Sequence, residues 1–401
     1  MLSSQKHPAP TQQYTAQCVV ISRGYRQNNA WSQRKVTIQQ SYQYIHIYYR
    51  HFCYFIALNI HLQDVLCISI FSVMNRFGPK FLWDKIINIT TFSQLDVSGS
   101  KICPIVPLHL SMFVIATALN KEYHSQEILD MLKSIPDMTW APAIPARFRG
   151  ITVEEMKSLY TKNTQRFHAA PKMTYRAAKD LPASFSWLNE KPECLKVRDQ
   201  GQCGSCWAMS VVGSFSDNRC ISGKDATRVT YSEQYELSCD HVDRGCMGGS
   251  LSSDMSFLKK TGVPTDKCVS YKSGKDGVKH VCPRKCDDGS EIDMHEKIVS
   301  FANVCQGEES IKAALTQGTI QTGFTVYQDF NYYTGGIYQH KFGASEGGHA
   351  VVIVGYGEEN GVKYWDVRNS WGTSWGENGY FRIIRGKNEC DFETECYLQT
   401  V

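Results

Sequence analysis

In "CWAMSVVGSFSDNRC", residues 206–220, Trp207, Val211 and Phe215 recur at every fourth position, and Ala208 and Val212 repeat that interval beside them. The spacing predicts a helix with one continuous apolar stripe. In the later half of the chain the runs shorten. "HAVVIVGYG", "KYWDVRNSW" and "GYFRIIRG" are rich in β-branched and aromatic residues and bounded by glycine, which predicts strands. Helices first and strands later point to an α+β fold, and the pattern from Leu181 onward reads as one domain of about 220 residues.

Upstream the pattern weakens. In "TVEEMKSLY", Thr152 and Glu155 have capping-box spacing, and Val153, Met156, Leu159 and Tyr160 share a helical face. "TWAPAIPARFRG" before it is extended and broken by proline. Residues 119–180 have little core of their own and suit a detachable pro-region that packs on something larger. "MFVIATALNKEYHS" starts at Met112, runs apolar and offers Ala116-Thr117-Ala118 as a small-x-small cleavage site. It predicts a signal peptide at 112–118 with Met112 as the start, and leaves residues 1–111 as an upstream extension. The apolar stretch inside that extension is interrupted by Asn59, His61, Gln63 and Asp64. A spanning helix needs about 20 mostly apolar residues, so no stable membrane insertion is expected.

Composition narrows the class. The 401 residues are 42% hydrophobic and 20% charged, with a formal net charge of +4. No basic run is long enough to suggest a nucleic-acid partner. Of the 16 cysteines, nine fall between Cys194 and Cys286, a density that favours an oxidising, secretory-pathway setting. The competing zinc reading needs a second Cys/His pair at finger-like spacing; Cys282 and Cys286 are close enough, but no such pair is present.

The chemistry turns on Cys203 and Cys206 in "DQGQCGSCWAMS". Cys-x-x-Cys suits a redox dithiol, half a zinc site, or a structural cysteine beside a nucleophile. Gly201 and Gly204 permit a tight turn, and the helical pattern starts near Cys206, where the positive end of a helix dipole stabilises a thiolate. An imidazole is available about 140 residues downstream, at His349, which opens an apolar strand. Twenty positions later Asn369 can accept from that imidazole, and Trp371 and Trp375 can shield the bond from water.

"QGQCGSCWA", "GCMGG", "GGHAVVIVGYG" and "NSWGTSWGENGYF" resemble the papain-like cysteine peptidases, and "LPASFSW", "VYQDFNYYTGGIYQH" and "RGKNECDFETE" resemble their cathepsin B-like branch. The resemblance covers residues 181–401 and reaches "MTWAPAIPARF" in weaker form. It implies a two-lobed α+β fold, with a helical left lobe, a β-barrel-like right lobe and the active site in the cleft between. It implies Cys206 as nucleophile, His349 as general base and then acid, Asn369 as the residue orienting the imidazole, and Gln200 as an oxyanion donor beside the Cys206 backbone N–H. Gly248 and Gly249 match the glycines that pair with an extended substrate, Trp371 is placed with the substrate-binding residues, and Glu395 matches the acid at the base of an S2 pocket that accepts Arg at P2.

The family's disulfides map onto Cys194–Cys220, Cys203–Cys246, Cys239–Cys282 and Cys268–Cys286. Cys305, Cys390 and Cys396 remain, of which Cys390 and Cys396 are close enough to pair. The implied partners are protein and peptide substrates, the chain's own pro-region as autoinhibitor and cystatin-type inhibitors of a monomer in lysosome-like vesicles or outside the cell; no cofactor or metal is expected.

The sequence departs from the branch in places. "CVSYKSGKDGVKHVC" stands where cathepsin B has an occluding loop with two adjacent histidines, and it holds only His280. An endopeptidase with an open primed side is therefore expected. Met247, Met209, Asp391 and Asp366 replace the usual Asn, aromatic, Gly and apolar residues. Two other readings compete. A non-catalytic binding paralogue usually loses the nucleophile or the histidine, and both are present. A thioredoxin-like or zinc protein needs a βαβ context or further ligands.

Overall fold

The computed structural model describes residues 121–161, 170–177, 180–292 and 295–401. The upstream extension at 1–111 and the signal peptide at 112–118 lie outside them. Upstream of Leu181, helix α1 (Gln126–Ser134) starts where the Ser125 hydroxyl accepts the Ile128 N–H at 3.2 Å, and it buries Leu129 and Leu132. Strand β1 (Trp140–Pro142) follows. Helix α2 (Val153–Ser158) carries the expected capping box: Thr152 Oγ1 accepts from Glu155 N at 3.2 Å, and Glu155 Oε2 accepts from Thr152 N at 2.9 Å.

The domain opens with β2 (Phe185–Ser186) and α3 (Trp187–Glu190). Helix α4 (Cys206–Ile221) is its axis, with every residue except Arg219 buried. It is therefore wrapped on all sides rather than along the single stripe its apolar period predicts. Its apolar residues divide among three clusters, with Val211, Val212 and Phe215 in one, Trp207 and Ala208 in another, and Ile221 in the main core. Its polar residues are buried with partners: Asn218 Nδ2 donates to the Thr319 carbonyl at 3.2 Å, and Asp217 pairs with Arg228 and Arg368. Around it lie α5 (Glu233–Cys239), α6 (Leu251–Lys260) and α7 (Ser273–Asp276).

The second half supplies β3 (Ser300–Asn303), α8 (Glu308–Leu315), β4 (Ile320–Tyr327), β5 (Tyr333–Tyr338), β6 (Ser345–Glu359), β7 (Val362–Arg368), β8 (Tyr380–Ile384) and β9 (Cys396–Thr400). The three strand-like runs of the sequence fall on β6, β7 and β8. The sheet order is β1-β5-β8-β7-β6-β4-β9-β3, with β2 also paired to β6. Among the described strands only β5 and β8 run parallel. The path is open; no pairing among the described residues closes β3 onto β1. β1, from the segment upstream of Leu181, adds an antiparallel edge to β5, Trp140 opposite Gly336. A Cβ on Gly336, whose φ is +90°, would lie 2.7 Å from the Thr139 carbonyl oxygen, so glycine is needed for that approach.

Disulfides link Cys194–Cys220, Cys203–Cys246, Cys239–Cys282 and Cys268–Cys286. A fifth joins Cys305 to Cys396. The suggested Cys390–Cys396 pair is thereby corrected. β3 pairs with β9, Asn303 opposite Tyr397, which brings Cys305 beside Cys396; Cys390 is free and half-buried.

Candidate active site

Cys206 is the first residue of α4, preceded by a turn in which Gly204 has no room for a side chain: a Cβ there would lie 2.5 Å from the Cys246 carbonyl oxygen. The Cys203–Cys246 disulfide fixes that turn. The thiol is free and fully buried. Burial pushes its pKa up, against the lowering effects of the Ala350 backbone N–H and the Thr161 hydroxyl.

His349 lies on β6, opposite Phe324 of β4. Its Nε2 is 2.7 Å from Asn369 Oδ1, so Nε2 donates and Nδ1 is left as the nitrogen able to accept a proton. Asn369 follows directly on β7 and also accepts the Ser370 N–H at 2.7 Å. The Trp371 ring stacks on the imidazole at 4.7 Å, with Trp375 edge-on behind it at 4.9 Å, and both indoles are fully buried. Removed from water, the imidazole is pushed down to about 4, opposed by the bond to Asn369.

Gln200 is fully buried. Its Oε1 accepts from Ser370 Oγ at 2.7 Å, and its Nε2 donates to the Cys203 carbonyl at 2.9 Å and to the Leu159 carbonyl at 3.0 Å. Leu159 lies in the segment expected to be the pro-region. Two residues on, Thr161 Oγ1 stands 3.7 Å from Cys206 Sγ. Thr161 also exchanges backbone bonds with Gly348 at 2.9 and 3.1 Å. A Cβ on Gly248 would lie 2.5 Å from Thr161 Cγ2, and one on Gly249 would lie 2.6 Å from the Trp207 ring. Both glycines therefore leave room, for the Thr161 side chain and the Trp207 ring, that a side chain would fill.

The same segment is held further back. Tyr160 OH donates to Asn331 Oδ1, Asn331 Nδ2 donates to Tyr123 OH at 2.9 Å, and His124 Nε2 donates to the Asn331 carbonyl at 2.9 Å. Phe148 packs on Trp371 at 5.2 Å. Residues 123–161 thus cover the thiol, the amide donor and the indole together. Nothing in the sequence marks Leu159, Thr161 or Asn331 for these positions, because each contact joins segments far apart in the chain.

Beyond His349 the cleft widens into a cavity of about 340 Å³, whose lining includes Gly249, Leu251, Phe324, Asp391 and Glu395. His280 pairs with Asp276 at 3.2 Å and is not among the cavity's lining residues. Among the described residues no group of acidic, His or Cys side chains is arranged to hold a metal ion, and no helix is long and apolar enough to cross a membrane.

Residues 181–400 match the papain family of cysteine proteases. The chain belongs to that family. Its relatives include Cathepsin B-like CP2 of Giardia intestinalis, 46% identical over 67% of this chain and 91% of the relative. Cathepsin B-like CP3 of the same organism is 47% identical, also over 67% and 91%. Among solved structures, proCathepsin B S9 from Trypanosoma congolense superposes with a TM-score of 0.66 at 28% identity, covering 70% of this chain and 99% of that one. The chain is a cathepsin B-like cysteine-type peptidase with a papain-like α+β fold and an autoinhibitory pro-region.

Proposed function

We propose that the protein is the zymogen of a cysteine endopeptidase, in which Cys206 is the nucleophile, His349 the proton carrier, Asn369 its orienting partner and Gln200 the oxyanion donor. The observation that carries this reading is the Leu159 carbonyl on Gln200 Nε2, with Thr161 against the Cys206 sulfur. A peptide carbonyl already occupies the donor that would receive a substrate's oxyanion.

Once the pro-segment leaves, water and space return to the thiol and the imidazole. The Cys206 proton passes to His349 Nδ1, and the thiolate attacks the scissile carbonyl carbon. Gln200 Nε2 and the Cys206 backbone N–H stabilise the oxyanion. His349 then gives its proton to the leaving amine, and the C–N bond breaks. A water molecule, deprotonated by His349, attacks the thioester, releasing the carboxylic acid and restoring the thiol. Asn369 keeps the ring aligned throughout, behind the indoles of Trp371 and Trp375.

The pro-region spans residues 119–180, preceded by the signal peptide at 112–118, and the product enters the secretory pathway. The short stretch around His280 leaves the primed side open, which supports endopeptidase over peptidyl-dipeptidase action. Glu395 in the cleft cavity supports acceptance of Arg at P2.

Residues 119–401, activated at acid pH, should cleave a dipeptide amide with Arg at P2 and incorporate an epoxide thiol trap at Cys206. Activity that persists in Cys206→Ala would overturn the mechanism, and efficient removal of carboxy-terminal dipeptides would overturn the endopeptidase assignment. Amino-terminal sequencing of the native precursor tests the start at Met112.

A further inference from the structure

The loop 388–395 carries four carboxylates, and they divide by task. Glu389 Oε1 accepts the His340 N–H at 2.9 Å. Glu393 accepts Trp365 Nε1 at 2.8 Å, Gly386 N at 2.6 Å and Asn388 N at 3.1 Å. These two hold the loop. Asp391 and Glu395, the latter also accepting from Tyr397 OH, line the cleft cavity beside His349, and they are the only Asp, Glu, Lys or Arg side chains among its described lining residues. The rest of the lining mixes Leu251, Phe324 and Ala350 with glycines, uncharged hydroxyl side chains and His349.

Loop geometry does not account for an aspartate at 391. Its φ is +63°, a conformation that Gly adopts without strain and Asn adopts as readily as Asp. Its one side-chain bond, accepted from Thr325 Oγ1 at 3.3 Å, would be made equally by an Asn oxygen. What remains particular to aspartate is the charge. A cavity of about 340 Å³ has room for an arginine side chain, whose forked donors match carboxylates.

We propose that Asp391 is a second specificity-determining carboxylate of the cleft, acting with Glu395 to select a guanidinium side chain at P2. The proposal rests on the peptidase reading above and assigns to Asp391 a role independent of the Glu395 match.

The test compares wild type, Asp391→Asn, Asp391→Gly and Glu395→Gln as acid-processed enzymes on paired dipeptide amides with Arg or Phe at P2. Asn keeps both the left-handed backbone and the Thr325 bond while removing the charge. The Arg-over-Phe ratio of kcat/KM should fall about five- to tenfold in both Asp391 variants, the size expected of one partly screened charge. It should fall further when either is combined with Glu395→Gln, and raised salt should lower the wild-type ratio more than that of Asp391→Asn. An unchanged ratio in Asp391→Asn, beside a fall in Glu395→Gln, overturns the proposal. Should wild type cleave neither amide, the peptidase reading fails, and calorimetric binding of the same two amides still decides this one. A five- to tenfold loss of affinity for the Arg amide alone in Asp391→Asn supports it, and equal affinity overturns it.

Discussion

At the scale of single residues, the proposed mechanism makes Gln200 the link between latency and catalysis. One Nε2 group donates to the Leu159 carbonyl in the closed molecule and, in the proposed mechanism, to the oxyanion in the open one. Gln200→Ala should therefore lower kcat by about 10²–10³. It should also weaken inhibition by the added pro-region peptide, since a buried carbonyl left without a donor costs about 1–3 kcal/mol. Measuring the inhibition constant beside kcat separates the outcomes: loss of turnover with unchanged pro-region affinity would show that the Leu159 contact contributes nothing. The catalytic set stands out in the sequence because each member sits inside a long run of Gly and aromatic neighbours. Leu159 and Thr161 do not, because the side chain and carbonyl that fill the cleft are selected by a surface remote in sequence.

At the scale of elements, two buried groups make packing depend on pH, in opposite directions. The carboxyl groups of Glu236 on α5 and Asp254 on α6 are completely buried, and among the described residues no N–H or hydroxyl donor reaches any of their oxygens. Asp240, Asp243 and Glu233 face the same region, and the Lys279 ammonium is spent on the Asp240 and Asp243 carbonyls. Desolvation, with these like charges adding to it, pushes Glu236 up to about 8 and Asp243 to about 7, and raises Asp254 as well. The fold consequently holds more protons than the unfolded chain between about pH 4 and pH 8, and its stability falls as pH rises through that window. Tm should drop by on the order of 5–10 °C from pH 5 to pH 8. Glu236→Gln with Asp254→Asn should flatten the slope; an equally steep slope in the double variant would rule the pair out as its source.

His124 works the other way. It is packed against Tyr123, Phe148 and Tyr332 with Glu122 nearby, and burial lowers its pKa from 6.5. The docked pro-region keeps it neutral while the released one lets it charge, so docking weakens as pH falls below about 6.5. Gln at this position keeps the donor to the Asn331 carbonyl without the charge. His124→Gln should slow autoactivation at pH 5 about tenfold and leave the rate at pH 7 unaltered; equal rates at pH 5 would remove His124 from the release step. Neither device is legible in the sequence. Glu and Asp on short helices read as solvent-facing, whereas the helix start at Thr152 and the strands β6 to β8 are written in local periodicity.

At the scale of the whole molecule, one carboxylate fastens the helical half to the sheet. Asp217 lies in the last third of α4, the helix that starts at Cys206, and pairs with Arg368, the last residue of β7 and the neighbour of Asn369. Arg228 completes the group from the loop after α4 at 2.9 Å. The Asp217 and Arg368 side chains are at most 4% exposed and Arg228 is 5% exposed, so removing the anion strands two cations away from water. Asp217→Ala should cost about 3–5 kcal/mol, a fall in Tm of roughly 10 °C for a domain of this size. Because the clamp spans the element bearing the thiol and the strand leading to the amide that orients the imidazole, kcat should fall in the surviving folded fraction while KM changes little. Asp217→Asn, which keeps a hydrogen-bond acceptor, should lie between the two in both measurements. Full kcat in folded Asp217→Ala would mean that the clamp holds the halves together without setting the alignment of Cys206 and Asn369.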